Sequence, residues 1–210
     1  MHWFLSRRRL VTTMATFASL AFCGAAQSQT ASAPDELIKQ VSTDVIEAVK
    51  ADKAIQSGDV NKIIALVDSK VMPHVNFQRM TASAVGRNWR TASPEQQKRL
   101  QEEFKTLIVR TYAGALREVK SQTTVQLKPF RGSPEDKEVV VRTEVKGSGD
   151  PIQLDYRLEK ADSGWKVYDI NVLGVWMVEQ YRSMFAQEIG SGGVDGLIAK
   201  LAERNKSSSK

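Results

Sequence analysis

The sequence predicts an α+β fold in which helices pack on the apolar face of an antiparallel sheet and further helices close the chain. Apolar residues recur with a period near 3.6 from Pro34 to Glu118, switch to a period of 2 over residues 122–173, and return to the helical period from Val175. Turn-rich stretches (FRGSPED, GSGDP and ADSG) divide the middle region into four strand-like segments, which predicts a four-stranded meander.

The N-terminus reads differently. Arg7, Arg8 and Arg9 precede an uncharged, moderately apolar run from Leu10 to Phe22, and Gly24-Ala25-Ala26 supplies small residues before a polar stretch. This pattern predicts a signal peptide over residues 1–26, cleaved after Ala26, and hence export to the periplasm. The apolar run is too short to remain as a bilayer span, and Ser6-Arg7-Arg8 leaves both the general and the twin-arginine export routes open. Cleavage removes Cys23, the only cysteine, so packing and not disulfides must hold the mature chain. It also lowers the formal charge of +6 by three, and without a dense Lys/Arg run or a recognisable motif nothing points to nucleic acid.

The folded domain is expected over residues 27–204, with helices over 34–118, the sheet over 122–173, C-terminal helices over 175–204, and a disordered tail over 205–210. Pro34 opens a helix with Leu37, Ile38, Val41, Val45, Ile46 and Val49 on one face, and Gly58 closes it. Asp59 caps a second helix that ends before Pro73, and FQRMTASAVG forms a third. Ser93-Pro94-Glu95-Gln96 is a capping box for a long helix with Leu100, Phe104, Leu107, Ile108, Tyr112 and Leu116 in one stripe. In the third strand Ile152, Leu154, Tyr156 and Leu158 alternate with Gln153, Asp155, Arg157 and Glu159, predicting one apolar and one wet face, with Asp155 and Glu144 toward solvent. Two helices follow, separated by Gly190-Ser191-Gly192-Gly193, a stretch better read as a turn than as a phosphate cradle.

Catalytic chemistry is sparse. His74 is the one histidine outside the leader, and its place at a helix end suits an interaction with terminal carbonyls. No metal-ligand spacing, P-loop or dinucleotide fingerprint occurs. Asp169 lies on a strand with apolar residues on both apparent faces, so it is either a buried structural hydrogen-bonding group or an acid-base group.

Three stretches together resemble the periplasmic phospholipid-binding proteins of the MlaC type, the toluene-tolerance auxiliary family. They are PHVNFQRMTASAVGRNWRTASPEQQKRLQEEFKTLIVRTYAGAL (residues 73–116), WKVYDINVLGV (165–175), and VEQYRSMF with GGVDGLIAKL (178–185 and 192–201). The resemblance implies an NTF2-like fold, a curved sheet against helices around an apolar lipid pocket. It implies a non-enzymatic carrier that shuttles phospholipid between an outer-membrane lipoprotein complex and an inner-membrane ABC transporter complex, preserving outer-membrane lipid asymmetry. The lipid is cargo, and neither metal nor cofactor is implied. Expected lipid contacts are Phe77 and Trp89; Phe104, Leu107, Ile108 and Tyr112 on the long helix; Val141, Leu154, Tyr156, Leu158 and Val172 on the sheet; and Val175, Val178 and Tyr181 on the closing helix. Two acyl chains hold on the order of 30 methylenes at about 0.8 kcal/mol each, so a carrier must enclose most of them, in a pocket of about 1,000 Å³.

Trp176 departs from the family pattern, as does Gln180, where many members carry a small residue and an asparagine. On a helical wheel Trp176 falls on the polar side, which places it at a pocket mouth or partner surface; if the chain is not yet helical there, the ring tucks under the sheet edge instead. Arg87, Arg90, Arg142 and Arg182 are candidate cations near a mouth, with surface ion pairing as the plainer role. The rival reading is a small NTF2-like periplasmic enzyme using Asp169, Tyr168 or His74 for acid-base work; a third is an interaction module without a pocket.

Overall fold

A computed structural model describes residues 32–133 and 135–207; the expected leader over 1–26 and residues 208–210 of the expected tail lie outside them. Helix α1 spans Pro34–Ala51, with Pro34 in its first turn and Leu37, Ile38, Ile46 and Val49 buried. The single helix expected to run to Gly58 is split at Asp52, whose extended backbone ends α1. Its carboxylate accepts from the Ala54 N–H at 2.8 Å, starting the short α2 (Lys53–Ser57): aspartate competes with the helix for backbone donors and so favours a cap. Gly58 closes α2 in the left-handed region, and Asp59 caps α3 (Val60–Leu66) by accepting from Asn61 and Lys62.

Beyond Leu66 the helix widens to a π turn at Val67–Val71 and tightens to a 3₁₀ turn at Met72–His74, around Pro73. Val75 then bridges Val167 in parallel, and the Asn76 N–H donates to the Val167 carbonyl at 2.8 Å, tying this segment to the sheet edge. Asn76 caps α4 (Phe77–Val85). The capping box is present at the start of α5 (Pro94–Tyr112), which continues as a 3₁₀ turn over Ala113–Glu118.

The sheet is a meander of five strands, one more than expected, in the order β1 (Thr124–Leu127), β2 (Glu138–Lys146), β3 (Ile152–Ala161), β4 (Gly164–Val172) and β5 (Val175–Trp176). The added strand explains why no polar loop follows WKVYDINV. Leu173 and Gly174, with φ of 51° and 92°, make a two-residue hairpin that pairs Val172 with Val175. Successive positive φ values match the right-handed twist of the flanking strands, and the Asn171 side chain accepts from the Gly174 N–H at 2.8 Å. Val175 and Trp176 therefore precede the helix, and the wheel that placed them on it does not apply. Helix α6 runs over Met177–Ser207, broken at Gly193 (φ 67°), within the glycine-rich stretch read as a turn. It continues past the expected boundary at 204, with Asn205 buried and donating to the Glu103 carbonyl.

A β-bulge resolves the two-faced reading of β4. Pairing shifts between Arg157↔Asp169 and Leu158↔Val167, leaving Tyr168 as the extra residue. Trp165 and Val167 before the bulge, and Ile170 and Val172 after it, all face the helices, while Asp169 and Asn171 face the other way. That second face is not uniformly wet. Asp155, expected in solvent, is buried, with Arg142 Nε at 3.8 Å, in a cross-strand row that includes Asn171 and Trp176.

Candidate functional site

Among the described residues, three packed clusters form the interior. One joins α4, α5 and α6 around Phe104, whose ring lies 4.8 Å from Tyr181, 5.0 Å from Phe185 and 5.6 Å from Phe77 between centroids. A second packs α1 on the sheet through Leu37, Ile38, Val141, Leu158 and Trp165. The third joins α1, α2, α3 and α5 through Val49, Ile55, Ile63 and Val109.

Where these clusters meet, they leave a cavity of about 200 Å³. Its wall is Val45 of α1, Ile63 and Leu66 of α3, Val67 and Val71 of the π turn, Met72 and Val75, Phe77 and Met80 of α4, Ile108, Val109 and Tyr112 of α5, Ala113 and Leu116, Ile170 of β4, and Met177 of α6. On α5 the lining positions 105, 108, 109 and 112 share one helical face. The bulge at Tyr168 brings Ile170 into phase to reach the same space. The remaining lining residue is Lys105, whose Nζ donates to Asp68 Oδ1 at 2.7 Å.

Of the expected lipid contacts, Phe77, Ile108 and Tyr112 line this cavity. Burial pushes the Tyr112 phenol upward. Phe104, Leu107 and Tyr181 are buried in the aromatic cluster, with Trp89, Val172 and Val178 packed against it. Val141 and Leu158 belong to the α1–sheet cluster, with Tyr156 against them. Leu154 is half-buried between Thr143 and Val172 in register. Val175, expected on the inward stripe of a helix, stands on β5 with 52% of its surface exposed. The expected lipid contacts do not include Lys105 or the α3 and π-turn wall, whose Ile63, Leu66, Val67 and Val71 the helical period places inward. The seven-residue spacing from Lys105 to Tyr112 was the available signal.

The candidate acid-base groups have structural partners. Asp169 is 1% exposed. Its Oδ2 accepts from Arg157 Nη1 at 3.0 Å, and its Oδ1 accepts from the N–H groups of Ile170 at 2.9 Å and Val178 at 3.0 Å, so it caps α6. Burial raises its carboxyl above the usual range, opposed by those donors and Arg157. The Arg157 guanidinium lies 3.7 Å from the Trp176 ring centre, so Trp176 covers from β5 the partly exposed arginine that pairs the buried Asp169. Tyr168 donates to Glu138 at 3.0 Å and carries the Arg79 guanidinium over its ring. His74 is half-buried in the 3₁₀ turn, and burial lowers its imidazole. Among the described residues no group of three or more His, Cys, Asp or Glu is placed to hold a metal ion. Arg182 donates to the Ser83 carbonyl and Arg142 lies beside Asp155, while Arg87 and Arg90 are exposed on the turn after α4.

An apolar cavity between a bulged sheet and a shell of helices is the setting in which sequence and structural relatives become informative. Residues 39–203 match the family model described as MlaC protein. The chain belongs to the MlaC family. This MlaC-family chain is 24% identical to the intermembrane phospholipid transport system binding protein MlaC of Haemophilus influenzae, over 91% of each chain. It is 26% identical to the toluene tolerance protein ttg2D of Pseudomonas putida, over 94% of this chain and 91% of that one. Among solved structures, the phospholipid-binding protein of Ralstonia solanacearum in complex with a phospholipid superposes with a TM-score of 0.82 at 45% identity, covering 85% of this chain and all of that one.

Proposed function

We propose that this MlaC-family protein is a periplasmic phospholipid carrier rather than an enzyme. It holds acyl chains in the cavity between α3, α4, α5 and β4, and moves lipid between an outer-membrane complex and an inner-membrane ABC transporter complex, which maintains outer-membrane lipid asymmetry. The observation that carries the reading is the cavity wall: sixteen of its seventeen lining residues are apolar or aromatic, in a chain 45% identical to a protein solved with phospholipid.

The cavity at 200 Å³ is smaller than the roughly 300–1,000 Å³ of ordinary ligand pockets, so it is the contracted form of a lipid site. Loading requires the walls to part. The most yielding part of the wall is the Val67–His74 segment, where π and 3₁₀ turns replace regular helix and Met72 supplies a flexible side chain. The acid-base alternative is disfavoured by Asp169, whose two oxygens already cap α6 and pair Arg157. A transfer assay tests the reading. Purified protein incubated with donor vesicles of phosphatidylethanolamine and phosphatidylglycerol should extract labelled lipid and release it to acceptor vesicles. No extraction beyond that of an unrelated soluble protein would reject it.

A further inference from the structure

We infer that Lys105 is the phosphate anchor of this site, held ready by Asp68, so that the protein reads the anionic part of its cargo as well as its tails. The inference rests on the carrier reading above and adds the group that distinguishes a phospholipid from an uncharged lipid with the same chains.

Lys105 is the one charged residue in an otherwise apolar wall. Its side chain is 24% exposed and that of Asp68 is 46% exposed, so the pair stands where the cavity lining meets solvent. The two residues come from opposite sides. Lys105 belongs to α5, on the face that carries Ile108, Val109 and Tyr112 into the cavity, and Asp68 belongs to the π turn, whose Val67 and Val71 line the same space. Their bond at 2.7 Å therefore joins two walls that must separate for chains to enter.

Lys105 cannot turn its ammonium into the wall without leaving a charge unpaired among apolar groups, which is costly. Once the π turn moves outward with Asp68, Lys105 loses its carboxylate at the position where a lipid with tails in the cavity would place its phosphodiester. Exchange of one oxyanion for another keeps the ammonium paired throughout, and it leaves the rest of the headgroup in water. The four arginines suggested by the sequence do not line the cavity, whereas Lys105 does.

The test compares dioctanoyl phosphatidic acid with dioctanoylglycerol, which share chains and differ only in the phosphate, by competition against a fluorescent fatty-chain probe. The exported protein is expected to prefer the phospholipid by roughly ten- to a hundredfold, the range for a hydrogen bond to a charged group. Lys105→Gln should close that gap while still binding dioctanoylglycerol, Lys105→Arg should restore it, and Asp68→Asn should keep or widen it. An undiminished preference in Lys105→Gln would overturn the assignment, as would equal binding of both lipids by the unaltered protein. Failure of that protein to bind either lipid would instead reject the carrier reading. Inorganic phosphate alone should not stabilise the unloaded protein; stabilisation that requires Lys105 would assign the site to a free anion and overturn the headgroup reading.

Discussion

Filling the cavity with protein atoms should raise the stability of the unloaded chain and abolish its cargo. Ala113 is 8% exposed, lines the cavity and has helical backbone angles (φ −55°, ψ −35°) that accept any unbranched or γ-branched residue. The apolar space beside it measures about 200 Å³. Ala113→Leu places three more carbons in it, worth about 2 kcal/mol at roughly 0.8 kcal/mol each. For a domain of this size each kcal/mol moves the melting temperature by roughly 2–4 °C, so delipidated Ala113→Leu should melt about 4–8 °C above the delipidated parent. The same leucine occupies space that acyl carbons need, so lipid extraction from vesicles should fall to background. Calorimetry of both delipidated proteins, paired with the vesicle assay, reads the two effects. A variant that melts lower and still extracts lipid would refute the reasoning, because an already filled core responds to three added carbons by straining.

Other expectations concern the rest of the molecule. Trp176→Ser removes the ring stacked on Arg157, the partner of buried Asp169, and should lower stability by about 1 kcal/mol without blocking lipid uptake; an unchanged melting temperature would place Trp176 outside the fold's energetics. Asp169→Ala leaves two backbone N–H groups without their acceptor and uncaps α6, and should cost about 2–4 kcal/mol, read as a shift in urea midpoint at constant slope; a small change in stability with complete loss of function would revive a chemical role. Burial, with a smaller effect from Lys166, holds His74 below its ordinary value of 6.5. The folded state thus prefers neutral imidazole, and the stability it contributes is full above 6.5 and lost as pH falls through the lowered folded value. Urea midpoints across that interval should fall less in His74→Asn than in the parent, and parallel curves would contradict this.

Much of the architecture follows from local pattern, because helix caps and strand alternation are written in neighbouring residues. Ser93 and Gln96 make both bonds of the capping box, and Ile152 to Leu158 alternate as the sheet requires. What sequence obscured depends on register or on partners distant in the chain. Trp165 and Val167 are odd-numbered while Ile170 and Val172 are even, a phase change that reads as a two-faced strand until the bulge at Tyr168 is seen. Leu173 adopts a left-handed conformation that usually selects Asn or Gly, so the first hairpin position carries no turn signature and the helical period extends in sequence over Trp176. Expected lipid contacts such as Phe104 and Tyr181 pack into core, because whether an inward face meets other side chains or a void depends on how three clusters meet. The same holds for Lys105: a lysine one turn from an apolar stripe becomes distinctive only where the π turn brings Asp68 to it.

The carrier account stands most directly on what the protein holds when it is purified from cells. Native mass spectrometry of the exported chain, purified gently and without detergent, with the extracted ligand identified by lipid analysis, should show a stoichiometric phospholipid adduct that is absent from Ala113→Leu. A clean unliganded mass for the parent, under conditions that preserve a known lipid carrier's cargo, would contradict it.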